Sequence, residues 1–279
     1  MYNVKIITSG DTVEIYKINN YVIKESKESE GSKIINKILE HKSKDSIKVY
    51  QEVNLEEKLN NRIKNLNKTR NNIIRCIKSN PDLKTFITLT FEKEGNYIDS
   101  KSKLNILFTK LRKKFSKLKY IWILEYGENN NRLHYHILTN LSIGIKLSTS
   151  KEKKTEEHKQ YEREFMRKYW PYGFVDIRHI EDNQEMNVAL YVAAYMVKSM
   201  KDINLAGYRI WGRSHKTLNK PQKDKYYSIE TAEEILKKYS GYKVKYSNSY
   251  SIGYTDYRRE HRGLVSYYEL VKENKYENK

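Results

Sequence analysis

The chain has 279 residues, 38% hydrophobic and 32% charged, and its 54 Lys and Arg against 35 Asp and Glu give a net charge of +19. That length allows one large domain with extensions or two small ones, and no apolar run approaches the roughly 20 residues that span a bilayer. The basic surplus favours a polyanionic partner, because Lys and Arg that neutralise phosphates release condensed counterions.

Enrichment in Lys, Asn, Ile and Tyr accords with AT-rich coding, which accounts for abundant lysine but not for the excess of bases over acids. A single cysteine, Cys76, excludes an internal disulfide and a multi-thiolate zinc site. It falls in an amphipathic helical stretch and reads as a packing residue. The start, Met1-Tyr2-Asn3-Val4-Lys5, lacks the apolar segment of a signal peptide. A soluble, cytoplasmic protein without a membrane partner is the expectation.

In chain order, residues 1–25 alternate polar and apolar positions around Ser9-Gly10-Asp11, which predicts a β-hairpin. Residues 26–50 read as a polar surface segment with one short helix. Between Leu55 and Lys78, Leu55, Leu59, Ile63, Leu66, Ile73, Ile74 and Ile77 recur at helical spacing among Arg and Lys, predicting one basic helix ending before Asn80-Pro81. Then follow a strand at Lys84–Phe91, a basic amphipathic helix at Lys101–Lys117 and a strand at Tyr120–Tyr126. The turn at 127–131 leads to an antiparallel partner strand at Arg132–Thr139. A charged loop and helix reach Trp170, followed by a strand at Phe174–His179 and a helix at Glu185–Met200.

The order β-α-β-β-α-β-α predicts an α+β fold of the split βαβ, ferredoxin-like (RRM-like) kind, an antiparallel sheet with helices on one face. Past Lys201 the chain is polar, with Lys220, Lys223 and Lys225 around Pro221, one helix at Ser228–Tyr239 and a Tyr-, Arg- and Lys-rich tail with strand-like alternation. Three parts are expected: an N-terminal extension (1–80), a core (81–200) and a basic C-terminal extension (201–279). The extension and the basic helix at 101–117 are candidate DNA contacts through phosphate neutralisation and base stacking.

The residues with the most chemistry are in the core. In Arg132-Leu133-His134-Tyr135-His136-Ile137-Leu138, strand alternation sends His134 and His136 to one face and Tyr135 to the other. Glu125 ends the preceding strand, where the turn can bring it beside both imidazoles. Two neutral nitrogens and one carboxylate suit Mg²⁺ or Mn²⁺. On the last core helix, Tyr191 and Tyr195 are one turn apart on one face, and Lys198 follows on the next turn. A tyrosine oxygen, with an ordinary pKa near 10, needs electrostatic help to act as a nucleophile, and a lysine and a metal-bound phosphate can supply it. Each feature alone has a bland reading: a carboxylate at a strand end, two tyrosines at a core edge, and a buried strand in Phe86-Ile87-Thr88-Leu89-Thr90-Phe91. The other histidines, among them His179 at a strand end, lack partner spacing.

In combination, the Thr-Leu-Thr-Phe strand, Glu125 with His134-Tyr135-His136, and Tyr191-x-x-x-Tyr195-x-x-Lys198 resemble the HUH endonuclease superfamily over residues 84–200. Within it the chain is similar to rolling-circle replication initiators of plasmids or single-stranded DNA phages, of the two-tyrosine type. Ala194 departs from the lysine often found before the second tyrosine, and Arg209-Ile210-Trp211-Gly212-Arg213-Ser214 is a weaker echo downstream. The resemblance implies nicking and rejoining of single-stranded or hairpin origin DNA through a 5′-phosphotyrosine, with Glu125, His134 and His136 as metal ligands. It implies that Tyr191 and Tyr195 alternate as nucleophiles, that Lys198 steadies the phosphate or phenolate, and that a host helicase and polymerase act alongside. Relaxases and single-strand transposases share the chemistry. A non-catalytic nucleic-acid-binding module on the same sheet is the remaining alternative. No Gly-rich loop followed by Lys-Ser/Thr marks an attached ATPase.

Overall fold

Alternation and apolar runs of the kind just described become two antiparallel sheets in the computed structural model, which describes residues 1–19, 55–93, 95–127, 132–180, 185–255 and 260–273. The strands and helices are β1 (Val4–Ser9), β2 (Thr12–Asn19), α1 (Leu55–Lys64), α2 (Leu66–Lys78), β3 (Thr85–Phe91), α3 (Tyr97–Lys114), β4 (Tyr120–Tyr126), β5 (Leu133–Thr139), α4 (Glu156–Tyr169), β6 (Gly173–His179), α5 (Glu185–Lys201), β7 (Trp211–Arg213), β8 (Gln222–Tyr226), α6 (Ala232–Lys237), β9 (Tyr242–Thr255) and β10 (Glu260–Lys272). The expected surface segment at 26–50 and most of the turn at 127–131 lie outside the described residues.

The chain divides into two compact units, one made of residues 1–53 with 220–279 and the other of 54–219. This differs from the three-part division expected at residues 80 and 200. The first unit is a sheet in the order β8-β1-β2-β10-β9. Its N-terminal hairpin is flanked by C-terminal strands, with Val4 opposite Tyr226 and Asn19 opposite Leu264. The reason is that a lone hairpin is marginal in water and needs further strands and a covered face. Val4, Ile6, Val13 and Ile15 supply that face, with Leu270 and Ile235 of α6 packed among them. The α6 helix is shorter than expected and begins at a capping box between Thr231 and Glu234.

The second unit is built on a sheet in the order β6-β3-β5-β4-β7, all antiparallel. The first four of these strands have the ferredoxin-like order, and the α+β expectation holds. On one face, Phe108 of α3 stacks on Tyr120 at 3.6 Å, the Ser100 hydroxyl meets the Tyr135 hydroxyl at 3.1 Å, and Trp170 packs edge-on against Phe91. The α4 helix is anchored there through the fully buried His158, whose Nε2 bonds the Ile177 carbonyl at 2.8 Å. That histidine is structural.

The expectation of helices on one face is corrected. The α5 helix lies on the opposite face, where Val192 and Met196 are buried. The unbroken burial of β4, apart from its last residue, is the local sign that the sheet is covered on both sides. Behind α5, α2 contributes Ile73, Cys76 and Ile77 to the core, and burial pushes the Cys76 thiol pKa up. The single helix expected over 55–78 is broken at Asn65, whose side-chain amide donates to the Asn61 carbonyl and whose backbone N–H donates to the Arg62 carbonyl three residues back. Such local bonds compete with helix continuation.

Gly173 opens β6 with φ +154°, and a Cβ there would lie 2.1 Å from the Thr90 carbonyl oxygen. The two backbones can approach this closely only because the residue is glycine. Gly173→Ala is therefore expected to destabilise the second unit by about 1–3 kcal/mol, read as a lowered midpoint in urea denaturation.

Candidate active site

The face of the sheet under α5 is laid out by strand register. On β5, His134 and His136 emerge on one side. Antiparallel pairing sets Thr90 and Glu125 opposite His134, and Thr88 and Ile123 opposite His136. Directly opposed residues project to the same side of a sheet. Thus three strands deliver two imidazoles, two hydroxyls and one carboxylate to one patch.

Those groups are bonded to one another. The Thr90 hydroxyl lies 2.9 Å from His134 Nδ1 and the Thr88 hydroxyl 3.3 Å from His136 Nδ1. His136 Nε2 is 2.9 Å from Glu125 Oε2, and Lys198 of α5 donates to Glu125 Oε1. The two imidazole rings are nearly parallel, at 7°, with centroids 6.5 Å apart. Burial alone would raise the Glu125 pKa, but hydrogen bonds from His136 and Lys198 and their charges outweigh it and hold the carboxyl below its ordinary value. Burial, then the neighbouring His136, lowers the pKa of His134 and favours the neutral imidazole.

The α5 helix brings both tyrosines over this patch. The Tyr195 ring stacks on His136 at 3.9 Å and 28°. Its hydroxyl is 2.5 Å from that of Tyr191. Phe86 forms the floor, with its ring 5.5 Å from that of Tyr191 and 5.8 Å from that of His136. Tyr191 is 51% exposed, while Tyr195 is half-buried. Burial, reinforced by the Tyr191 hydrogen bond and the Glu125 charge, pushes the Tyr195 pKa up and keeps its proton in place.

All six residues singled out from the sequence, Glu125, His134, His136, Tyr191, Tyr195 and Lys198, therefore meet on one face. Three participants were missed: Thr88, Thr90 and Phe86. The signal was there, since Phe86-x-Thr88-x-Thr90 alternates in the same period as His134-x-His136, but only the register says that the threonines face the histidines. His179 pairs with Thr85 and falls on the other side of the sheet, so its expected approach to the site is not realised.

Residues 84–200 match the model of a family described as replication-associated protein, the ORF2 type. The core of this chain is a member of that family. The matched segment runs from the edge of β3 almost to the end of α5 and contains every residue of the site. No curated protein and no solved structure matches the chain. No helix among the described residues of this replication-associated protein is long and apolar enough to cross a membrane.

The donor types fit a hard divalent cation: one carboxylate and two imidazoles, one of them held neutral. As they stand, no three His, Cys, Asp or Glu among the described residues are arranged around an ion. Here Glu125 binds the Lys198 ammonium with one oxygen and His136 with the other. Positive charge beside the carboxylate is thus supplied by the helix.

The lowered pKa of His134 has a measurable sign. As pH falls through the ordinary histidine value near 6.5, an unfolded His134 takes up its proton first, so acidification there disfavours the folded state. NMR titration of the metal-free protein should give a His134 midpoint below that ordinary value.

Proposed function

We propose that this chain initiates rolling-circle replication by nicking and rejoining single-stranded or hairpin origin DNA through a 5′-phosphotyrosine. The observation that carries this reading is the pair Tyr191 and Tyr195, joined hydroxyl to hydroxyl and lying over the His136–Glu125 pair. Family membership of the same segment supports it.

A tyrosine oxygen attacks the scissile phosphorus in line with the leaving 3′ oxygen. The P–O3′ bond breaks, the P–O(tyrosine) bond forms, and the phenolic proton passes to the departing oxygen. The phosphodiester is exchanged rather than hydrolysed, so rejoining by the free 3′-OH needs no ATP. With two tyrosines in contact, one hydroxyl stays available while the other holds the 5′ end.

The raised pKa of Tyr195 means that its attack requires positive charge nearby, and Lys198 supplies this where it meets Glu125. Thr88 and Thr90 fix the ring orientation of His136 and His134. Glu125, His134 and His136 would hold Mg²⁺ or Mn²⁺, which when bound polarises the scissile phosphate as a Lewis acid.

The test is a covalent-adduct assay on a labelled origin oligonucleotide. The wild type should give a denaturation-resistant adduct. Tyr191→Phe with Tyr195→Phe should reduce its yield at least a hundredfold, and each single variant should keep a measurable fraction. Undiminished adduct in the double variant refutes the nucleophile assignment. DNA binding with no adduct from the wild type in Mg²⁺ or Mn²⁺ makes the chain a non-catalytic binder.

The metal assignment is checked separately. Thr88→Val with Thr90→Val, which removes both hydroxyl partners, should weaken Mn²⁺ binding about tenfold or more, followed by electron paramagnetic resonance. Adduct formation that survives EDTA overturns the metal requirement.

A further inference from the structure

A second cluster lies where α3 meets β4 and β7. There a cleft of about 150 Å³ is lined by Lys101, Arg112, Arg209, Arg213 and His215, with no carboxylate among its lining residues. The hydrogen bonds these side chains make are to neutral atoms: Lys101 to the Asn105 side-chain oxygen, Arg112 to the Tyr120 hydroxyl, Arg209 to the Trp211 carbonyl and Arg213 to the Cys76 sulfur. Four cations around one cleft repel one another and leave it strongly receptive to an anion. Burial, and after it the charge of Arg209, lowers the Lys101 pKa, in keeping with that crowding.

The floor of the cleft is Trp122, with the Lys101 ammonium 4.4 Å from its ring centre. Gly212 lets β7 come close: a Cβ there would meet the Trp122 ring at 2.6 Å. Arg209 and Arg213 flank that glycine, which accounts for the Arg-x-Trp-Gly-Arg pattern that the tyrosine site leaves unused. Trp122 and Tyr120 project to the face of the sheet opposite His134 and His136, by strand alternation. The cleft is therefore distinct from the tyrosine site.

Its dimensions narrow the ligand. At about 150 Å³ it is smaller than the ~300–1,000 Å³ of small-molecule sites and suits a single phosphate group. Its aromatic floor is buried and cannot accept a base. Next to Arg209, however, Tyr208 is 44% exposed and stacks on Tyr97 at 4.3 Å, and the Tyr97 hydroxyl donates to the Arg209 carbonyl. A phosphate-sized cationic cleft beside an exposed aromatic ring matches the repeating unit of a single strand, one phosphate and one base.

We propose that this cleft is a second nucleic-acid site, which takes a backbone phosphate of a single DNA strand with the neighbouring base on Tyr208. It rests on the replication reading only in taking DNA as the strand. The adduct assay reports on the tyrosines and binding at the cleft is read independently, so either can fail alone.

The wild-type protein supplies the first test, protection of arginines from phenylglyoxal mapped by mass spectrometry. A single-stranded oligonucleotide should protect Arg209 and Arg213, whereas inorganic phosphate and dTMP at the same phosphate concentration should not. No protection overturns the site, and equal protection by dTMP or phosphate overturns the assignment to a strand.

The second test is fluorescence anisotropy. Arg209→Gln with Arg213→Gln should weaken oligonucleotide binding at least tenfold and lower the salt slope by about 0.7 for the lost phosphate contact. Tyr208→Ala should weaken it about tenfold, and Arg209→Lys should retain most of the affinity. Arg163→Gln, an exposed position on α4, removes a charge elsewhere and should change affinity less than twofold. Losses in the cleft variants no larger than that of Arg163→Gln overturn the proposal.

Discussion

Antiparallel pairing of β5 between β3 and β4 is the constraint on which the site depends. Each of the three strands contributes polar groups to the patch, and each group reaches it only because the register sets Thr90 and Glu125 opposite His134. A slip of one residue in either pairing would send that strand's side chains to the other face. The register is held by what lies on both sides of the sheet. Tyr135, Leu89 and Ile87 are buried against α3 and α4, while Val192 and Met196 of α5 cover the other face. Burying an aliphatic side chain contributes about 1.5–3 kcal/mol, so a slip that exposed several would not be tolerated.

On that platform, electrostatics and packing act together. Glu125 is almost completely buried, and a buried carboxylate is tolerated only with partners. His136 and Lys198 provide them, and both are groups the chemistry needs. Stacking of Tyr195 on His136 places the phenol beside this network while burial holds its proton. The same contacts that make the charged groups acceptable in the fold thus keep a reluctant nucleophile close to positive charge.

The sheet presents different chemistry on its two faces. One side carries the histidines and tyrosines. The other carries buried aromatics that, at the β7 edge, become the floor of a cationic cleft. Gly212 and Gly173 serve these two surfaces in similar ways, each removing a side chain where another group must approach. The first unit follows a different logic, since its hairpin is completed by strands more than 200 positions away in the sequence.

Much of the site was legible locally. His-x-His on an apolar strand, a carboxylate at the end of the strand before it and two tyrosines a turn apart are short-range patterns, because side-chain direction follows the fixed periods of strand and helix. The order of core elements was legible for the same reason. Left undetermined were facts about pairs of distant residues: that Thr88 and Thr90 face the histidines, that α5 covers the face opposite α3, and that residues 1–19 share a sheet with residues 222–272. Sequence by itself determined which chemical groups this protein carries and which way each points along its own strand or helix. Only the tertiary structure decided which of those groups meet, because register and packing between distant segments are chosen by the burial of a shared core that no local window contains.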